Sequence, residues 1–269
     1  MILNEVKFFS EVLMLHSTMN VLLPQRPLVK TRNNPKPKYR TLYLLHGRTD
    51  DHTAWVRWSN IEKYVEGMNL AVVMPAVDLS WYTDMAYGNN YFQFVSEEVP
   101  AVVRDMFSLS DKREDNFVAG LSMGGYGAFK LALTYPDRYE AAASLSGALD
   151  VLETIKGHGL HDEKAWHKAM QSVFGDLEKV DGSQHDLFAL SREVGKGSVK
   201  PRLYQCCGTE DFLYADNIRF RDAVRKLPFD FTYEEGPGEH VWSYWDKMIQ
   251  NVLKWMLPKG KDINGLVGI

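Results

Sequence analysis

The chain has 269 residues, of which 45% are hydrophobic and 25% charged, and its formal net charge is -4. This length and apolar content predict one sizeable core, so we treat residues 1–269 as a single domain. The mild negative charge gives no reason to expect nucleic acid or an anionic membrane as a partner, and the sequence contains no run of about 20 apolar residues that would span a bilayer.

The only two cysteines, Cys206 and Cys207, are adjacent, and a disulfide between neighbours forms a strained ring. We therefore expect two reduced thiols in a buried strand, which suits a reducing compartment. The first residues, MILNEVKFFSEVLML, carry neither a basic leading segment nor a small-residue cleavage site, so no signal peptide is expected. These features predict a cytoplasmic protein, and a homo-oligomer is compatible with them.

Strand and helix patterns follow one another along the chain. Apolar-rich runs at 2–9 and 11–23 are typical of an antiparallel strand pair, and the basic segment 26–39 predicts an exposed loop. The pattern then predicts strands at 41–47, 70–75, 116–121, 141–146, 202–208 and 230–234, and helices at 59–66 (capped by Ser59), 92–107 (kinked at Pro100), 124–135, 215–226 and 241–256. This alternation predicts an α/β fold with a mostly parallel central sheet and helices on both faces, and the polar segment 150–194 predicts a small helical insertion over one end of the sheet.

The strongest chemical signal is Gly120-Leu121-Ser122-Met123-Gly124-Gly125, which matches G-x-S-x-G. A predicted strand precedes it and a predicted helix follows it, which is the context of a serine nucleophile on a sharp strand-to-helix turn. The alternative is a glycine-rich turn that only packs the helix on the strand. The helix N-terminus favours negative charge developing beside the serine, so we predict Ser122 as a nucleophile.

A serine hydroxyl needs a base, and in this fold the acid and then the histidine follow the serine along the chain. Asp211 comes directly after the predicted strand 202–208, and His240 lies in a loop before the last helix, so we predict them as the acid and the base. Glu210 and Asp216 are the alternatives for the acid.

The reaction also needs donors for an oxyanion. One is expected to be the backbone N–H of Met123, and the second the N–H of Arg48, where Gly47 lets the chain turn after the strand 41–47. The alternative is that His46-Gly47 only ends the strand. We also place Gly47 and Trp81 among the substrate-binding residues, although packing in the core is the more ordinary role for Trp81 and the other aromatic residues of this region.

Four histidines fall in or beside the polar insertion and are expected to be surface residues: His158, His161, His167 and His185. Two of them are three residues apart, but the sequence holds no matching cluster of ligands, so no metal is predicted.

Taken together, these motifs, with Leu44-Leu45-His46-Gly47, Ser80-Trp81-Tyr82-Thr83-Asp84 and Gly208-Thr209-Glu210-Asp211, resemble the esterase D-type α/β hydrolases. The bacterial tributyrin esterases are the most similar branch, and the resemblance extends from about residue 2 to about residue 257. It implies an α/β-hydrolase fold and cofactor-free cleavage of short-chain acyl esters. The family's triad falls on Ser122, Asp211 and His240, and its oxyanion donors fall on Arg48 and Met123.

Three functions follow as hypotheses. The first is a serine carboxylesterase acting on a small-molecule ester, with feruloyl and acetylxylan esterases among its relatives. The second is a thioesterase of the S-formylglutathione hydrolase type, which is disfavoured because those enzymes usually carry Ser-Gly-Leu where this chain has His46-Gly47-Arg48. The third is a binding protein on a hydrolase scaffold, against which the complete set of triad residues argues.

Overall fold

A computed structural model of the protein describes residues 1–25, 38–157 and 162–257. Its centre is an eight-stranded sheet in the order β1-β2-β4-β3-β5-β6-β7-β8. The strands are β1 Ile2–Ser10, β2 Leu15–Leu23, β3 Arg40–Leu45, β4 Leu70–Pro75, β5 Asn116–Leu121, β6 Ala141–Leu145, β7 Arg202–Gly208 and β8 Phe231–Gly236. Strand β2 pairs antiparallel with β1 and β4, and the remaining pairs are parallel.

The helices cover both faces of this sheet. They are α1 Ala54–Trp58, α2 Ile61–Tyr64, α3 Tyr91–Gln93, α4 Val99–Met106, α5 Met123–Thr134, α6 Val151–Lys156, α7 Glu163–Phe174, α8 Leu187–Lys196, α9 Tyr214–Val224 and α10 Trp242–Met256. Alternate residues of β3 enter two different apolar clusters, Leu42 and Leu44 on one face and Tyr43 and Leu45 on the other. Burial on both faces explains why the parallel strands appear in the sequence as continuous apolar runs.

Most of the predicted elements are confirmed within one to three residues, and the strand pair at the N-terminus is joined by a turn at 11–14. The helix predicted over 59–66 is confirmed only in part, as the shorter helix α2 Ile61–Tyr64, and the helix α1 before it was not predicted. Ser59 ends α1, and its hydroxyl accepts the Ile61 N–H at 3.3 Å at the start of the separate helix α2. Helix α1 was not predicted because its five residues are too few to show a recognisable helical periodicity.

The helical stretch predicted at 92–107, with a kink expected at Pro100, is irregular just before this proline. A π-helical segment, Phe94–Glu98, lies between α3 and α4, and Pro100 occupies the first turn of α4. Proline has no N–H to donate, so a change of hydrogen-bond register directly before it leaves no donor unpaired.

The segment 150–194 is helical where it is described, and it comprises α6, α7 and most of α8. Side chains of α7 contact the loop that follows β4, as described below, so this part lies beside the carboxyl ends of the strands. Most of the basic loop predicted at 26–39, the tail beyond residue 257, and His158 and His161 lie outside the described residues. Among the described residues, no helix combines the length and apolar character that crossing a membrane requires.

Candidate active site

Ser122 occupies the sharp turn between β5 and α5. Its backbone has φ 53° and ψ -119°, a conformation that non-glycine residues rarely adopt. The turn is held from both sides, because the Ser122 N–H donates to the Leu145 carbonyl at 3.0 Å and its carbonyl accepts the Ala148 N–H at 3.2 Å. The strain is thereby maintained by β6 and the loop after it, and it aims the hydroxyl away from the sheet.

The glycines around the serine are required by packing. A Cβ atom on Gly120 would lie 2.3 Å from the Gly124 carbonyl oxygen, and one on Gly124 would lie 2.5 Å from the Leu45 carbonyl oxygen. No side chain larger than hydrogen fits at such distances. The spacing of the sequence motif therefore reflects the close contact between the start of α5 and the ends of β3 and β5.

The structure brings the three predicted residues into one hydrogen-bonded row. His240 Nε2 lies 3.0 Å from Ser122 Oγ, and His240 Nδ1 lies 3.0 and 2.9 Å from the two carboxylate oxygens of Asp211. The Asp211 side chain has no exposed surface, and its Oδ1 also accepts the Leu213 N–H at 2.8 Å. With a carboxylate at Nδ1, the ring proton is held there and Nε2 is left free to accept a proton from the serine.

The two alternative acids are engaged elsewhere. Glu210 accepts the Gly238 N–H at 2.6 Å and so ties the end of β7 to the loop that carries His240. Asp216 forms an ion pair with Arg219 at 2.7 Å. Neither carboxylate has a recorded contact with His240, so the geometry favours Asp211.

The loop carrying His240 and the end of β7 are in backbone contact. A Cβ atom on Gly208 would lie 2.0 Å from the Gly238 carbonyl oxygen. The rings of Phe212 and Trp245 enclose the imidazole, with centroids 4.4 and 4.9 Å from that of His240. Phe212 is 76% exposed, so it forms an apolar rim on the side of the base.

The predicted oxyanion donors lie on either side of Ser122. Met123 is the first residue of α5, so its N–H has no acceptor within the helix. In the described part of the chain, no hydrogen-bond acceptor is recorded for the N–H of Arg48 either. Gly47 approaches the nucleophile closely, since a Cβ atom there would lie 3.6 Å from Ser122 Cβ.

The loop around Arg48 is held by a buried histidine that the sequence analysis did not assign a role. His46 Nε2 accepts the Val77 N–H at 3.0 Å, so the ring proton is on Nδ1, which donates to the Gly47 carbonyl at 2.8 Å. Burial lowers the pKa of His46 and keeps the ring neutral. Because the Gly47 carbonyl and the Arg48 N–H belong to one planar peptide, fixing the first orients the second.

Trp81 lies behind the surface. It is 3% exposed and its ring packs on Tyr126, Trp166 and Phe174, with centroids 5.9, 6.3 and 6.3 Å away. Its predicted contact with substrate stays a prediction. Trp166 of α7 stands between Trp81 and the Arg48 guanidinium, and it was not singled out because a tryptophan on a polar helix carries no chemical motif.

A buried lysine also escaped the sequence analysis. Lys130 of α5 is 3% exposed, donates to Thr83 Oγ1 at 2.6 Å and lies 3.3 Å from His185 Nδ1. Burial lowers the pKa of Lys130 to about 7, and burial beside this lysine lowers the pKa of His185 to about 3. His185, expected as a surface residue, is only partly exposed. No group of three potential metal ligands occurs among the described residues.

The mostly parallel sheet, the strained serine turn and the histidine–carboxylate pair are the features of an α/β-hydrolase fold. The sequence profile of the putative esterase family matches residues 10–256, and the chain belongs to that family. It is a carboxylic ester hydrolase. An acetyl esterase from Caldicellulosiruptor saccharolyticus is 34% identical over 263 residues, which are 95% of this chain and 98% of that protein.

Two solved structures from Staphylococcus aureus are similar throughout. The fluorophosphonate-binding serine hydrolase FphF, with substrate bound, is 35% identical with a TM-score of 0.87, and the match covers 96% of this chain and 99% of that one. The S-formylglutathione hydrolase FrmB, as the apoenzyme, is also 35% identical, with a TM-score of 0.84 and coverage of 96% and 100%.

Proposed function

We propose that the protein is a serine carboxylesterase that hydrolyses short-chain acyl esters through an acyl-enzyme intermediate on Ser122. The observation that carries this proposal is the hydrogen-bonded row from Ser122 Oγ through His240 to the buried Asp211 carboxylate. The row starts on a strained turn at the N-terminus of α5, where developing negative charge is favoured.

In the first half of the reaction, His240 Nε2 takes the proton of Ser122 as the hydroxyl attacks the ester carbonyl. The carbonyl oxygen becomes an oxyanion, which accepts hydrogen bonds from the backbone N–H groups of Met123 and Arg48. The protonated ring then gives its proton to the departing alcohol oxygen, and the acyl group stays on the serine. Asp211 stabilises the imidazolium and keeps its orientation.

In the second half, water takes the place of the alcohol. His240 removes a proton from the water, the resulting hydroxide attacks the acyl carbon, and the proton returns to Ser122 Oγ as the acid leaves. Every proton moves between the serine, the histidine, the substrate and the attacking water, so the proposed cycle requires no cofactor or metal.

A short acyl group fits the surroundings of the serine. The large, closely packed rings of Trp81, Trp166 and Phe174 fill the space beside α5, and α7 carries charged residues rather than a continuous apolar lining. The similarity to an acetyl esterase supports the same size class. Both cysteines are free and buried, which supports a cytoplasmic location for the enzyme.

A thioesterase is the second candidate, because one of the similar structures is an S-formylglutathione hydrolase. The proposed machinery would act on a thioester carbonyl in the same way. The ratio of kcat/KM for p-nitrophenyl butyrate to that for S-formylglutathione separates the two candidates.

The proposed function is tested with p-nitrophenyl esters from acetate to decanoate and by intact-protein mass spectrometry. We expect the highest kcat/KM at acetate to butyrate and a mass increase of one acetyl group, which Ser122→Ala abolishes. Equal activity on decanoate would refute the short acyl site, and an acetylated Ser122→Ala protein would refute the nucleophile.

A further inference from the structure

The Arg48 side chain leaves the predicted oxyanion loop as an exposed cation with no carboxylate partner among the described residues. Its one recorded interaction places the guanidinium carbon 4.8 Å from the centre of the Trp166 ring. No ion pair joins it to any Asp or Glu of residues 1–25, 38–157 and 162–257. Of the segments outside the described residues, 26–37 and 158–161 contain no Asp or Glu in their sequence, and 258–269 contains one, Asp262. Within the described residues, the charge of Arg48 is therefore not neutralised by a carboxylate and can be offered to a ligand.

The tryptophan under this cation is fixed in place. The Trp166 indole N–H donates to the Thr154 carbonyl at 2.9 Å, so the ring is held by α6 as well as by its own helix. Gly157 ends α6 with φ 65° and lies directly against the ring, since a Cβ atom there would be 2.4 Å from Trp166 Cδ1. A guanidinium on such a ring has its position set by the protein before any ligand binds.

The Arg48 and Trp166 pair is connected by ring packing to α5, the helix that follows the candidate catalytic serine. Trp166 packs edge-on against Trp81, which in turn packs against Tyr126, one turn of α5 after Ser122. At its other end, the arginine begins at the residue whose N–H is the proposed oxyanion donor. The guanidinium on Trp166 and the proposed oxyanion donor thus belong to the same residue.

The chemistry of the pair selects a class of ligand. A guanidinium stacked on a ring keeps its N–H donors in its own plane, pointing to the sides, where they match the two oxygens of a carboxylate. The ring beneath excludes water from one face of the cation, which strengthens its attraction for an anion.

We infer that Arg48 and Trp166 form a subsite for a carboxylate carried by the ester substrate, so that the preferred substrates are half-esters or other esters bearing one negative charge. The inference rests on the proposed function, because it assigns selectivity to the same site. The carboxylate belongs either to the acyl group or to the alcohol, and the same contact would serve both.

The test compares substrates that differ by one charge. For the acyl group, the pair is p-nitrophenyl hydrogen glutarate and its methyl ester; for the alcohol, it is 4-acetoxybenzoate and its methyl ester, with uncatalysed hydrolysis subtracted. The readout is the ratio of kcat/KM for the charged member to that for the neutral member. We expect Arg48→Gln to lower this ratio about tenfold in one of the two pairs, as the loss of a charge-assisted hydrogen bond predicts. Arg48→Lys, which keeps the charge without the planar fork, should lower it less.

Arg225→Gln is the matched control. Arg225 is also exposed and lies over an aromatic ring, 5.6 Å from that of Tyr233, but it follows the last residue of α9, at the opposite end of that helix from Asp211. The Arg225→Gln variant should leave both kcat/KM ratios unchanged. If Arg48→Gln left both ratios unchanged while Ser122→Ala abolished activity, the proposed subsite would be overturned and the proposed esterase function would stand. Activity that survives Ser122→Ala would instead overturn the proposed function.

Discussion

The Tyr82 hydroxyl group donates a hydrogen bond to the His46 carbonyl at 2.9 Å. Tyr82 is fully buried, its backbone has φ 50°, and its ring lies so close to α5 that a Cβ atom on Gly127 would be 2.4 Å from Tyr82 Cδ2. The hydrogen bond joins α5, which follows the proposed nucleophile, to the loop of the proposed oxyanion donor. The two sides of the proposed oxyanion site are therefore held at a fixed separation by one side chain.

Tyr82→Phe should consequently lower kcat on p-nitrophenyl acetate about tenfold with little change in KM, because a loosened donor stabilises the transition state less while the ground state is hardly affected. Steady-state kinetics measure both constants. Tyr87→Phe is the control, since Tyr87 is 78% exposed and should tolerate the change. A rise in KM with kcat unchanged would assign Tyr82 to the binding of substrate instead.

Ser122→Ala should lower kcat about 10⁴-fold or more, His240→Ala nearly as much and Asp211→Ala somewhat less, because the three act as a unit. Circular dichroism should show that all three variants are folded. Asp216→Asn removes the competing carboxylate and should retain most of the activity. If Asp216→Asn lost as much activity as Asp211→Asn, the assignment of the acid would be wrong.

Gly124→Ala should destabilise the protein by about 1–3 kcal/mol or prevent folding, because its Cβ atom would overlap the Leu45 carbonyl. Gly236→Ala provides the contrast, since its Cβ atom meets nothing within 4 Å. It should be neutral or stabilise by about 0.4–1 kcal/mol through the unfolded chain. Urea unfolding followed by tryptophan fluorescence distinguishes the two. Similar midpoints for both variants would contradict the packing argument.

Lys130 should make stability depend on pH between about 7, its pKa in the fold, and about 10.4, the ordinary value for lysine. Within this window the unfolded chain binds a proton that the native protein has released, so the free energy of unfolding gains a positive slope with pH from this residue. The Lys130→Met variant removes that contribution. We expect Tm measured from pH 7 to pH 9.5 to rise less, or to fall more, in the variant than in the parent protein.

Parallel slopes of Tm in the two proteins would show that Lys130 keeps its charge in the fold. Lys164→Met, on the polar insertion, changes the same residue type at an exposed site and should leave the slope of the parent protein unaltered.

The fold was largely predictable because buried parallel strands leave long apolar runs and because Gly120, Ser122 and Gly124 lie at a turn whose geometry admits few residues. The hydrogen-bonded row was predictable for the same reason, since the order of elements places Asp211 and His240 at the carboxyl ends of neighbouring strands.

The supporting contacts were not predictable. Trp166 contacts Arg48 although more than one hundred residues of sequence separate them. Lys130 contacts Thr83 and His185, which come from two distant parts of the chain. Such pairs follow from the tertiary arrangement of helices, on which local periodicity carries no information. The helix predicted over 59–66 is shorter in the structure, and α1 was missed because five residues carry too little periodicity.

The backbone contact between Gly208 and Gly238 has a consequence for altering the enzyme by design. The end of β7 and the loop of His240 are in direct main-chain contact at these two glycines, so this contact contributes to the separation of the proposed acid and base. A library that aims at new substrates should leave these two positions constant. Diversity belongs at Phe212, whose ring lies against His240, and at Trp166, whose ring lies under the Arg48 guanidinium, because neither side chain takes part in that main-chain contact.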